Sequence, residues 1–157
     1  MTDTATAVRC SAWVYATVVV GTDGSPTAAT AVHHALRLSA ACGAKLHLVT
    51  AFARIPLVAH TAMLPIGPVI GDDGAWIPAV HDRFADEAHR AAVPIVRHVL
   101  EGQPATVLIE VARTVGADLL VTGNRGMSGV RGLLGSVPRA LAQHAPCAVL
   151  VVPTDRW

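Results

Sequence analysis

The stretch Thr122–Ala140, TGNRGMSGVRGLLGSVPRA, carries five glycines, three arginines and two serines between an apolar run and a helix-like segment. Glycine costs about 0.5–1 kcal/mol relative to alanine inside regular structure, so a cluster of this density marks backbone that must bend or approach something closely. A loop that leaves a buried strand and enters a helix can aim several backbone N–H groups inward. The helix that follows adds its own free amides and the positive end of its dipole. Such a cradle suits a phosphate, and three or four charge-assisted hydrogen bonds of about 1.5–3 kcal/mol each suffice for micromolar affinity. A glycine loop with no ligand fits the spacing equally well. Ser136 either caps the following helix or donates its hydroxyl to a phosphate.

A second candidate is VVVGTDGS, ending at Ser25. Asp23 at the end of an apolar run could bind a ribose hydroxyl, an adenine amino group or a phosphate-held metal. Taken alone, Asp–Gly is first of all a turn pair. Other chemistries find less support. The chain holds no GxxxxGK[ST] and no GxGxxG after its first strand, which disfavours a Walker loop and a nicotinamide dehydrogenase. A phospho-receiver needs an acidic pair, an aspartate after the third strand and a lysine after the fifth, and LEG and VVP stand in the latter two places. The eight histidines include no HExxH, and His33, His34, His81 and His89 read as scattered surface or partly buried imidazoles. Asp72 and Asp73 read as solvated loop acids, and Trp76 as a residue that packs the long loop down. No Ser-His-Asp or Cys-His arrangement supplies a nucleophile.

The elements that must position these residues alternate. Trp13–Gly21 is a β-branched apolar run, the pattern of a strand buried on both faces. Ser25 as N-cap, Pro26 at the first helical position and Gly43 as the stop frame a helix. Ala44–Phe52 is a second strand, and residues 53–78, rich in proline and glycine, form a long loop. A helix from about Ala79 to Ala91, a third strand Val93–Gly102, a helix from Pro104 to Gly116 and a fourth strand Ala117–Gly123 follow. A last helix from Pro138 to about Ala145 leads into a fifth strand, CAVLVVP. This alternation predicts an α/β fold with an open parallel sheet and helices on both faces, since every parallel crossover needs a helix to return the chain. Ligands in such folds sit beyond the carboxyl ends of the strands, where strand order reverses. Both candidate stretches lie directly after strands.

At 157 residues the chain fits one domain, residues 13–157, behind a tail of residues 1–12. It is 52% hydrophobic and only 15% charged, a composition that favours an oligomer hiding part of its surface. A net charge of +1 gives no electrostatic case for a nucleic-acid partner. Cys10, Cys42 and Cys147 form no CxxC pair and read as buried, reduced thiols of a cytoplasmic protein. The stretch MTDTATAVRC does not read as a secretory signal, and no apolar run approaches the roughly 20 residues of a membrane span.

VVVGTDGSPTAATAVHHAL, GADLLVTGNRGMSGVRGLLGSV and HAPCAVLVVP together resemble the universal stress protein family, from about Val18 to Pro153, with residues 53–79 unmatched. The resemblance implies a single-domain, Rossmann-like five-stranded sheet of order 3-2-1-4-5, a homodimer, no membrane, and in one branch bound ATP with Mg2+ or Mn2+. Carried over by motif, Thr22 and Asp23 match base and ribose contacts, and Ala51 a backbone contact to adenine. Thr122, Gly123, Arg125, Gly126, Gly135, Ser136 and Val137 match the phosphate cradle. The nucleotide-binding branch resembles G-x2-G-x9-G-[ST], whereas here Gly126 and Gly135 enclose eight residues, Met127 to Leu134. One residue less can shift amides by up to about 3.5 Å.

In the implied order the fifth strand is an edge with no charge, proline or bulge to protect it, so pairing with a second copy is expected. The expected function is a regulatory adenine-nucleotide-binding protein with at most slow ATP hydrolysis. The alternatives are a dimeric stress protein that binds no nucleotide and a cyclic AMP or small-phosphate receptor using Arg125 or Arg131.

Overall fold

A computed structural model describes residues 15–52, 74–124 and 135–154. The 1–12 tail, Trp13, Cys10, Asp72, Asp73 and nearly all of the 53–78 loop lie outside these, as do Arg125, Gly126 and Arg131. Among the described residues nine elements alternate: β1 Thr17–Gly21, α1 Pro26–Cys42, β2 Lys45–Phe52, α2 Ile77–Arg90 and β3 Ile95–Glu101. They continue with α3 Pro104–Val115, β4 Leu119–Gly123, α4 Ser136–His144 and β5 Ala148–Val152.

Local chemistry sets the helix ends. The Ser25 hydroxyl accepts from the Ala28 amide at 3.1 Å, Pro26 opens α1, and Gly43 closes it at φ 68°. Gly116 closes α3 in the same left-handed conformation. Two helices begin earlier than the sequence reading placed them. Helix α2 starts at Ile77 rather than Ala79, with Pro78 in its first turn, and α4 starts at Ser136 rather than Pro138. Proline fits both places because amides of the first turn have no intrahelical acceptor to lose. Gly135 occupies the N-cap of α4 and Ser136 is its first helical residue, so Ser136 does not cap the helix.

The sheet is parallel throughout, in the order β3-β2-β1-β4-β5. Strand β1 lies at its centre, and its side chains alternate between two packed layers. Val18 and Val20 enter the layer built with α1 and α2, where Val32, Leu46, Leu48, Phe84 and Val121 meet. Val19 enters the layer of α3 and α4, with Val49, Leu108, Val111, Leu120 and Leu141. Burial on both faces is why β1 and β4 read as unbroken apolar runs. Asp118 ties the two strands at their entry: one carboxylate oxygen accepts from the Ala16 and Thr17 amides, each at 2.9 Å.

The cysteines correct the sequence reading. Cys42 and Cys147 are free but half-buried rather than buried. Among the described residues no helix is long and apolar enough to cross a membrane.

The histidines depart further from expectation. His47 on β2 and His81 on α2 are buried, and His47 Nδ1 meets His98 Nε2 of β3 at 2.9 Å with the rings stacked. One ring must donate and the other accept, so at least one is neutral. The register places His98 opposite Val49, two pairs beyond His47, so both imidazoles share a sheet face. Burial lowers the pKa of all three, helped at His47 by His98 and Lys45 and at His81 by the Arg97 charge.

Two outcomes follow. The unfolded chain takes up protons on these imidazoles near pH 6.5, before the native state does. Stability is therefore full above about pH 7 and falls toward about pH 5. Thermal melts across this window should fall, and His98→Gln should reduce the drop. Asp118→Ala should lower stability by about 1–2 kcal/mol in urea titrations, because two strand-entry amides lose a charged acceptor.

Candidate functional site

Beyond the carboxyl ends of β1 and β4 the sheet opens a cleft of about 150 Å³. Connections from β1 run to one face and from β4 to the other, so the crevice sits at the reversal of strand order. One wall is the β1 exit, Gly21, Thr22 and Asp23, and the other the β4 exit, Thr122 and Gly123, facing Gly135, Ser136 and Val137. Val49 and Ala51 of β2 form the floor, with Pro104 and Leu108 of α3 beside them. Eight of the ten residues singled out in the sequence thus line one cavity; Arg125 and Gly126 lie outside the described residues.

Backbone bonds shape the β1 exit. The Thr22 amide donates to the Val49 carbonyl at 2.9 Å, extending the ladder one residue past the strand. The Gly24 amide then turns back onto the Thr22 hydroxyl at 3.2 Å, with Gly24 at φ 76°. Asp23 Oδ1 accepts from the Ser25 amide at 3.0 Å and from the Ser25 hydroxyl. Asp23 is therefore a turn residue and a lining residue at once. The turn fixes its carboxylate against the cleft. Thr50 completes the junction, its hydroxyl donating to the Thr22 carbonyl at 3.2 Å and meeting His81 Nε2 at 2.8 Å.

The β4 exit is held at a neck. The Gly135 amide donates to the Asn124 carbonyl at 3.0 Å, and the Asn124 amide to Val152 at 2.9 Å. The Asn124 side chain also accepts from the amide and hydroxyl of Thr154. Both ends of the glycine-rich loop are thus fixed by bonds that do not depend on how many residues lie between them.

Helix α4 supplies the polarity. Its first backbone bond runs from Arg139 to the Gly135 carbonyl, which leaves Ser136 and Val137 as first-turn amides, and Pro138 has none. Both residues line the cleft, at the positive end of the helix dipole. Opposite them stands Asp23, the one acidic residue among the described cleft residues. An apolar floor flanked by a carboxylate and a helix N-terminus can take a flat ring with polar edges joined to an anion.

Sequence reasoning missed Val49 and Leu108 in the apolar lining and the Thr50–His81 pair. The positions of Leu108 in α3 and Val49 in β2 signalled burial, not a share in a cavity. Trp76 does not line the cleft; its ring lies on Gly24, 2.8 Å from where a side-chain carbon would stand. Among the described residues no group of three or more histidine, cysteine or acidic side chains could hold a metal ion.

The family model described as "Universal stress protein family" matches residues 15–153. A universal stress protein of Mycobacterium tuberculosis is 35% identical over 149 residues, covering 89% of this chain and 97% of the relative. The crystal structure of a universal stress protein in complex with cAMP is 37% identical, with a TM-score of 0.70 over 91% of this chain and 100% of that one. An Arabidopsis thaliana family protein solved with AMP bound shares the fold at 19% identity, with a TM-score of 0.61 over 90% of this chain and 93% of that one. With the family model matched over residues 15–153 and a relative 35% identical over nearly its whole length, the chain belongs to the universal stress protein family.

Proposed function

We propose that this protein binds an adenine nucleotide in the cleft between β1 and β4, and that the bound state is what a regulatory dimer presents to its partners. The observation that carries the reading is the cleft's asymmetry. Its apolar floor at Val49, Ala51 and Leu108 suits a purine, Asp23 suits ribose hydroxyls, and the Ser136 and Val137 amides suit phosphate. The relative solved with cAMP supports an adenine nucleotide as the class of ligand.

ATP is the first reading. A divalent ion fits as a companion of the phosphates, because the described cleft residues offer one carboxylate and no protein cage. When bound, that ion supplies charge neutralisation between phosphate oxygens. This chain's own groups then bind and orient: Asp23 the ribose, the α4 amides the phosphates. None of the described cleft residues is a histidine, lysine or glutamate that could move a proton quickly, so hydrolysis is slow at most. Cyclic AMP is the second reading, favoured by the 37% identical relative solved with it. In that case one phosphate meets the same amides, with Arg125 or Arg131 as the compensating charge.

The dimer forms through β5. That strand is an edge of the sheet, AVLVV, and Leu150 on it is 39% exposed. Unpaired strand groups of this kind invite a second strand, and a twofold axis lets the same strand serve both copies.

Calorimetry with ATP, ADP, AMP and cAMP, each with and without Mg2+, tests the ligand. The expected result is micromolar affinity for ATP that weakens without Mg2+, and loss of about tenfold or more in Asp23→Ala and in Ala51→Leu, which fills the floor. No heat from any nucleotide at about 1 mM overturns the reading, and a Mg2+-independent preference for cAMP selects the second. Light scattering at about 10 μM protein should give a dimer, and Leu150→Lys a monomer, by charging an edge that must otherwise be covered.

A further inference from the structure

Helix α2 does not line the cleft, yet it touches the turn that forms one wall of it in two independent places. The first is polar. Thr50 has a single hydroxyl hydrogen, and it goes to the Thr22 carbonyl at 3.2 Å. The oxygen's lone pair therefore accepts from His81 Nε2 at 2.8 Å, which places the imidazole proton on Nε2. His81 is 3% exposed and Thr50 fully buried, so neither exchanges its partner for water without cost. The second contact is steric. The Trp76 ring lies against Gly24, whose φ of 76° and lack of a side chain allow that approach.

We propose that His81 and Trp76 are positioning residues for the Thr22–Gly24 turn, acting through Thr50 and Gly24, and that α2 thereby sets how well the cleft holds its ligand. The proposal rests on the nucleotide reading for what occupies the cleft, while the clamp itself is a property of the ligand-free protein.

The physical need is clear from the turn. The Thr22 amide is fixed by the sheet, but its carbonyl lies past the last ladder pair and has no strand to accept from. The Thr50 hydroxyl supplies that donor and is held to the task by His81. Without the Nε2–H, the hydroxyl is free to rotate away. The peptide between Thr22 and Asp23 then loses its anchor, and the Asp23 carboxylate loses the fixed frame that aims it at the cleft.

Three variants test this. His81→Leu removes the donor, Thr50→Val removes the relay at nearly constant volume, and His81→Gln keeps an N–H at about the same reach. Thermal melts establish that each is folded. In calorimetry with ATP and Mg2+ and with cAMP, His81→Leu and Thr50→Val should each weaken binding by about tenfold. Their double variant should be no weaker than either, since both cut one chain, and His81→Gln should recover to within about twofold of wild type. Folded Leu and Val variants that bind as wild type overturn the proposal. Equal weakening in Leu and Gln overturns the hydrogen-bond assignment and leaves only packing. If the wild type binds no nucleotide, the ligand reading fails, and the clamp is judged by hydrogen exchange in the ligand-free protein. There the Gly24 and Ser25 amides should exchange about tenfold faster in His81→Leu, Thr50→Val and Trp76→Ala; unchanged exchange overturns the clamp.

Discussion

The site depends on how the central strand ends. Past Gly21 the chain must leave a sheet that is packed on both faces, and it does so at Thr22 with both of its peptide groups bonded. The Val49 carbonyl takes the amide and the Thr50 hydroxyl gives to the carbonyl. Two neighbouring residues of one strand thus fix the direction of the turn by which another strand departs. Buried backbone groups without partners are costly enough that this arrangement tolerates few alternatives. Asp23 inherits its place in the cleft from it.

The opposite wall is set by the same economy of backbone bonds. Asn124 closes the glycine-rich loop at its neck through Gly135 and reaches β5 through Val152 and Thr154. Residues on either side of the loop are therefore tied to the sheet by backbone bonds. Helix α4 then offers its first-turn amides at a place the sheet has already chosen, because it starts one residue after the neck closes.

Much of this was legible in the chain's own pattern. Alternating strand-like and helix-like segments, with Ser25, Pro26, Gly43, Pro104 and Gly116 as punctuation, led to the observed elements, and the motifs led to eight residues that share a cavity. The misplacements have local causes. Proline was read as the first residue of α4, but it is tolerated anywhere in the first turn, so Ser136 became helical and Gly135 the cap. Cys42 and Cys147 are only half-buried, because small apolar residues serve at the margins of a core as well as in it.

The histidines show most clearly where the sequence stops. His47 and His98 are 51 positions apart, and His81 and Thr50 are 31 apart. Spacing along the chain carries no information about such pairs, since only the parallel register and the docking of α2 bring them within bonding distance. By itself the sequence determined which segments become strands and helices and where glycine and serine must stand, because caps, periodicity and turn chemistry act over a few residues. The tertiary structure alone decided which side chains close the cleft floor, which imidazoles have their pKa lowered by burial and which helix packs beside the β1 turn. Those depend on contacts between elements, and desolvation, the force behind each, exists only once the layers have packed.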